Sequence, residues 1–372
     1  MSEYQYYEFR AIDRHLDVKD RAALRAISSR ADISSARFTN HYEWGDFKGD
    51  PSVLMERYFD LHLYLANWGS RHLSLRFPKG LVDEARLPGI AGNEECLRLR
   101  HHKEHLIVDI ARDELDVDDA TDGSEWLDRL ETLRADVIAG DYRLFYLLWL
   151  MAVQDGAIGD EESEPLAGIG PLTPPLRAFA EFFAMDLDLV EAAAEREVEA
   201  ARAEPAPAAL EAAIRSLSEG ERVRWLSRLL AGEAHLSTEL RARLTESRRA
   251  KVERRPSNPR SVGELRARAE TVGHQRERRA SEKALAARKQ QLAPIEARGE
   301  KAWQDVEAAI VLRQPKSYDR AVDLIIGLRD IAGLRGQMKD FEAKLNAIMA
   351  RHSAKRQFLV RLEQSLAGNR RW

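Results

Sequence analysis

The spacing of apolar positions changes repeatedly along this chain, and each change marks an element. Tyr4 to Ile12 is rich in aromatic residues and reads as an extended strand. Leu16, Ala23, Leu24 and Ile27 then recur at helical spacing, with Asp17 placed to cap a helix reaching Ser29. Arg37 to Tyr42 returns to strand character. The turn-rich run Trp44-Gly45-Asp46-Phe47-Lys48-Gly49-Asp50 leads to Pro51, a residue type favoured in the first turn of a helix. Leu54, Tyr58, Leu61 and Leu65 continue one face from there, which predicts a helix from Pro51 to about Ala66. Arg71 to Phe77 alternates as a third strand. Cys96 to Arg100 and Leu106 to Ile110 bracket His101-His102-Lys103-Glu104-His105, which predicts a hairpin. Residues 1–118 are expected to form an α/β, sandwich-like module.

From residue 119 to 247 the pattern is helical throughout. Trp126, Leu127, Leu130, Leu133 and Val137 share a face, and Gly140-Asp141 ends it. Leu144 to Val153 is apolar on all sides but far shorter than the ~20 residues of a bilayer span, so Tyr142 to Gln154 is expected to be a buried helix. Asp155 to Pro175, rich in Gly, Pro and acids (Asp160, Glu161, Glu162, Glu164), is expected to be a mobile loop. Helical stretches containing Phe179–Phe183, Leu187–Ala201 and Val223–Leu230 follow, with Pro205 and Pro207 separating the last two. Val262, Leu265, Ala269 and Val272 keep a 3,4,3 spacing that lapses at Arg276 and Arg279. Residues 248–294 are therefore expected to be a charged, partly helical linker, not a coiled coil. Three amphipathic stretches follow, built on Trp303, Val306 and Ile310, on Tyr318 to Ala332, and on Gln337 to His352. Phe358, Leu359 and Leu362 close a small antiparallel bundle over 295–372. The fold class expected for the whole is α+β.

Charge changes this picture at one point. The net charge is only −4, yet Arg248 to Trp372 carries 29 Lys and Arg against 15 Asp and Glu. Residues 1–247 are left with 29 against 47. An acidic body thus carries a basic tail, which can meet nucleic acid, an acidic partner or the body itself. The basic charge is densest over 248–289, where 14 Lys and Arg stand against 5 Asp and Glu with no aromatic residue. Arg248, Arg249, Lys251, Arg254 and Arg255 are candidate nucleic-acid contacts of the salt-sensitive, phosphate-reading kind, without base stacking. The plainer reading is a solubilising linker or one folded onto the body. The single cysteine, Cys96, excludes an internal disulfide and a multi-cysteine zinc site. Met1-Ser2-Glu3-Tyr4 has neither the basic nor the apolar region of a secretory signal. The expectation is a soluble cytoplasmic protein with no membrane partner.

Two segments carry candidate chemistry. His101, Glu104 and His105 offer imidazole and carboxylate ligands for a divalent metal, though His-His-Lys-Glu-His lacks the one-face helical spacing of a zinc protease motif. Trp44, Asp46, Phe47, Asp50 and Trp68 form a candidate binding loop, with rings to stack on a ligand and glycines that permit close approach. No phosphate-binding loop, dinucleotide fingerprint or nucleophile elbow is present. No catalytic residue is assigned and no cofactor is expected.

In the last part of the chain, Trp303…Val306-Glu307, Gln314-Pro315-Lys316-Ser317-Tyr318-Asp319-Arg320-Ala321-Val322-Asp323-Leu324 and Leu328-Arg329-Asp330, closed by Arg351-His352-Ser353-Ala354-Lys355, resemble a terminal helical module of bacterial SWIM zinc-finger proteins. Glu3-Tyr4-Gln5-Tyr6-Tyr7-Glu8-Phe9, with Trp44-Gly45-Asp46-Phe47-Lys48-Gly49, resembles an uncharacterised family of bacterial proteins ending in the same module. The resemblance implies a docking or accessory module, with Trp303, Tyr318, Asp319 and Arg329 as its candidate contact residues. It transfers no catalytic residue, and one cysteine cannot supply the SWIM zinc site. The function expected is that of a non-enzymatic bacterial accessory or adaptor protein that docks a protein partner through its C-terminal bundle. The alternatives are non-specific nucleic-acid binding through 248–289, and a metal-dependent or acid/base enzyme using His101, His105, Asp46 and Asp50.

Overall fold

The computed structural model describes residues 3–84, 87, 96–116, 123–197, 207–231, 236, 239–240, 243–244 and 258–368. The fold is α+β, and the chain divides into two compact units, Met1–Gly273 and His274–Trp372. The first is built on seven strands: β1 (Gln5–Arg10), β2 (Asp32–Ile33), β3 (Arg37–Tyr42), β4 (Leu61–Ala66), β5 (Arg71–Pro78), β6 (Leu97–His102) and β7 (His105–Arg112). They form one sheet of order β2-β3-β1-β4-β5-β7-β6, with every neighbouring pair antiparallel.

Alternation along each strand gives the sheet two different faces. Leu61, Leu63, Leu65, Leu73, Leu75, Phe77, Leu106, Val108 and Ile110 are buried on one of them. Behind them lie α3 (Trp126–Leu130), α4 (Thr132–Ile138), α5 (Arg143–Gln154), α6 (Pro174–Phe182) and α7 (Leu187–Ala194), all in the same core. Every residue of α5 from Arg143 to Val153 is buried, as its unbroken apolar run predicts. Sheet and helices share this one core. On the opposite face, Phe9, Phe38 and Ile107 are covered by α1 (Val18–Ile27) and α2 (Pro51–Arg57) through Leu24, Leu54 and Met55, with Phe59 just beyond. Asp17 caps α1 in a capping box with Asp20, and Asp50 caps α2 through the Ser52 amide at 2.8 Å.

The helix expected from Pro51 to Ala66 stops at Arg57, and Leu61–Ala66 is the central strand β4. Leu61 and Leu65 fit a spacing of four, but Leu61, Leu63 and Leu65 also fit a spacing of two. All six residues of β4 are buried, which a strand covered on both faces achieves and a one-faced helix does not. Two further expectations change around Glu164. Its carboxylate is fully buried and accepts from the Tyr146 hydroxyl at 2.8 Å, Arg196 Nη1 at 2.9 Å and Arg260 Nη2 at 2.9 Å. The Asp155–Pro175 loop is thereby pinned to the body. The segment expected to be a linker starts the same way: α10 (Val262–Glu296) buries Val262, Leu265 and Ala269 in the first unit's core. The unit boundary, after Gly273, falls inside this helix.

Two helices of the first unit, α8 (Pro207–Ser216) and α9 (Glu219–Leu230), leave Ile214, Val223, Leu226 and Leu229 exposed. The second unit contains the end of α10 with α11 (Glu300–Val311), α12 (Pro315–Arg335), α13 (Met338–Arg351) and α14 (Arg356–Gly368). Its core joins Val306, Ile310, Tyr318, Ile325, Phe341, Leu345, Phe358 and Leu362 in a small helical bundle. Among the described residues, no helix is long and apolar enough to cross a membrane.

Candidate functional site

Antiparallel register aligns one residue from each strand into a row across the face that α1 and α2 only partly cover. Ile33, Phe38, Phe9, His62, Ser74, Asp109 and Arg98 are successive cross-strand partners from β2 to β6. The row begins apolar, under α1 and α2, and ends polar. Beside it runs a second row of Tyr7, Tyr64, His72 and Ala111. Where the rows leave the helices they line an open cleft of about 560 Å³ with Arg100, Cys96, Pro51 and Ser52. That volume suits a small ligand. Ser74 and Ala111 are the small side chains at its floor.

Burial disfavours the charged forms of the cleft's two histidines and two tyrosines. His62 is buried, its ring stacked 4.0 Å from Phe9 and 6.3 Å from Tyr7, and Nδ1 donates to the Glu8 carbonyl at 3.2 Å. That bond leaves the lone pair on Nε2. Burial pulls the pKa of His62 down to about 3, outweighing the Glu8 contact. Burial also lowers His72, whose Nε2 lies 3.6 Å from Asp113, and pushes Tyr64 up to about 12 and Tyr7 higher still. Both phenols donate to Gln5 Oε1, at 2.9 Å from Tyr7 and 3.3 Å from Tyr64. Gln5 in turn donates to Asp46 at 3.3 Å. Four perturbed groups in one cavity are the arrangement that functional clefts share. At the other wall, Arg100 donates to Asp109 at 2.5 and 3.2 Å and to Glu56 at 3.1 Å.

The residues singled out from the sequence lie elsewhere. His101 and His105 fall on opposite faces of the β6–β7 hairpin, because His101 pairs with Leu106 and His105 with His102. His101 Nε2 instead meets Glu84 at 2.5 Å, and Glu104 is exposed at the turn. Among the described residues no three His, Cys, Asp or Glu side chains are arranged to hold a metal ion. None of the candidate loop residues lines the cleft. Phe47 packs among Tyr7, Phe9, Phe38 and Tyr42 as the anchor of its loop, and Asp50 is a helix cap. Trp44 stands 72% exposed, and Trp68, at the β4–β5 turn, donates to Ser70 Oγ at 3.1 Å. The lining of this cleft shows in the sequence as polar residues two apart: His62 and Tyr64, His72 and Ser74, Arg98 and Arg100. The helical reading of 61–66 concealed its first pair.

In the second unit, Trp303 packs against Phe341 at 5.7 Å and lines a groove of about 330 Å³ with Ile295, Leu328, Ile331 and Phe341. Tyr318 is buried on Phe358, Asp319 pairs with Arg361, and Arg329 lies 3.4 Å from Asp330. Tyr318 and Asp319 thus tie α12 to α14, and none of the three lines that groove. Arg248, Arg249, Lys251, Arg254 and Arg255 lie outside the described residues. Further along the basic stretch, Arg260 pairs with Glu164, Arg266 with Asp160 and Arg268 with Glu195, so these three cations are neutralised within the first unit. Compared with protein families, with curated proteins and with solved structures, the chain matches none.

Proposed function

We propose that this protein is a non-enzymatic binding protein that holds a small molecule on the sheet face, in the cleft between Tyr64, His72 and Arg98. One observation carries this reading: four ionisable side chains whose charged forms burial disfavours converge in a cavity of ligand size. Their state favours recognition over proton transfer. An imidazole with a pKa of about 3 is too weak a base near neutral pH, and Asp109 is engaged by Arg100. What remains is a hydrogen-bonding surface with aromatic walls and a cationic rim. The test is calorimetry and thermal shift on the full-length protein with a panel of small acids, alcohols, amines and phosphate esters. Saturable binding is expected from at least one class, and Ser74→Leu, which fills the floor, should abolish it. Binding that is undiminished in Ser74→Leu, or absent across the panel, counts against the cleft.

A second role, as an adaptor, is favoured by the groove around Trp303. Its apolar floor of Leu328, Ile331 and Phe341 is rimmed by Glu296, Glu300, Arg335, Asp340 and Lys344. An apolar trough with charges of both signs on its edges suits the apolar face of a partner's amphipathic helix. Trp303→Ala in the full-length protein should then weaken partner recovery without changing affinity for the small molecule. Equal recovery by both proteins argues against the groove.

A further inference from the structure

We infer that the ligand of the sheet-face cleft is an aromatic monocarboxylate, its carboxylate on Arg98 and its ring over Ser74 and Ala111 beside Tyr64 and His72. This rests on the cleft being a ligand site, and it adds the chemistry that the site selects. The charge pattern comes first. Arg98 stands directly across from Asp109 in the β6–β7 register, yet Arg100, two residues on, takes both oxygens of that carboxylate. Arg100 reaches Glu56 as well. Arg98 is left lining the cleft with no ion-pair partner among the described residues. That leaves its guanidinium open to one negative charge from a ligand. A carboxylate supplies that charge and accepts the planar N–H fork with both oxygens. A phosphate monoester carries about −1.5 to −2 near neutral pH, more than one guanidinium balances.

The shape of the cleft specifies the rest of the molecule. Its floor is made of small side chains, Ser74 and Ala111, and its wall of rings: Tyr7 lies 4.7 Å from Tyr64, and Tyr64 lies 5.1 Å from His72. A flat apolar body fits against such a wall by offset or edge contacts, whereas a sugar or a branched aliphatic chain makes poorer use of it. Neighbouring strands lie ~4.8 Å apart, so the span from His62 across Ser74 and Asp109 to Arg98 is roughly 14 Å. That suffices for a ring plus a carboxylate. Burial disfavours charge on both imidazoles, so the aromatic wall does not call for a second anion, and Arg98 disfavours an amine.

The test is calorimetry at pH 7 on the full-length protein with phenylacetate, benzyl alcohol, phenyl phosphate and benzylamine as probes. Phenylacetate should bind saturably and at least tenfold more tightly than the other three. Arg98→Gln should weaken it at least tenfold with an unchanged melting temperature, since this side chain is exposed, and Arg98→Lys should recover only part of the loss. Tighter or equal binding of the alcohol, phosphate or amine, abolished by Ser74→Leu, overturns the carboxylate assignment while leaving the cleft as a ligand site. Phenylacetate binding that survives in both Arg98→Gln and Ser74→Leu overturns the assignment and the cleft together. Failure of all four probes overturns the aromatic monocarboxylate, and the wider panel then judges the cleft separately.

Discussion

His62 sits in the centre of the sheet between Phe9 and Ser74, and its environment ties the cleft to acid stability. The folded protein takes up a proton on this ring only near pH 3, whereas the unfolded chain does so near 6.5. Between those values the unfolded state binds more protons, so stability falls as pH drops through the window. The expected loss is on the order of a few kcal/mol by pH 4. His62→Gln should flatten the dependence of urea-unfolding stability on pH between 6.5 and 4, and an unchanged slope would show that other groups govern it. Glu164 is the second residue with a large expected effect. Its carboxylate faces two arginines and a tyrosine in a buried setting, and removing one member of such a cluster strands the others. Glu164→Gln should cost at least ~3 kcal/mol, read as a lowered urea midpoint. A cost below 1 kcal/mol would mean that water enters the cluster.

At the scale of elements, β4 is the strand on which the site depends. It carries His62 and Tyr64 toward the cleft and Leu61, Leu63 and Leu65 toward the helical core, and it pairs along its length with β1 and β5. Amide hydrogens of Leu61 to Ala66 should therefore exchange far more slowly than those of Asp32–Ile33 at the sheet edge. Leu63→Ala should cost about 2–5 kcal/mol, because the leucine is fully buried in a packed core. Fast exchange over 61–66 would contradict a central strand. The spacing of this segment is compatible with helix and with strand over so few residues, which is why its strand character was not legible locally. By contrast, α1, β3, β5, the β6–β7 hairpin and the bundle helices are long enough, or punctuated clearly enough, for their periodicity to identify them.

At the scale of the molecule, the two units have separate cores, and the proposed ligand contacts only the first. Phe358→Ala, deep in the bundle, should cost about 3–5 kcal/mol there and leave small-molecule affinity unchanged. A changed affinity would show that the bundle's packing reaches the cleft. The basic stretch also takes on its meaning at this scale. Composition marks 248–289 as cationic, but Arg260, Arg266 and Arg268 neutralise carboxylates of their own unit, a pairing that no local pattern reveals. The α+β class, most element types, the buried α5 and the helical bundle are legible in the residues alone, because hydrophobic spacing records which side of an element meets a core. Tertiary structure alone decided that His62, Ser74, Asp109 and Arg98 stand side by side, and that His101 and His105 do not. Alternation assigns each residue to a face, but strand order and register decide which strands are neighbours, and those are settled by pairing between distant parts of the chain.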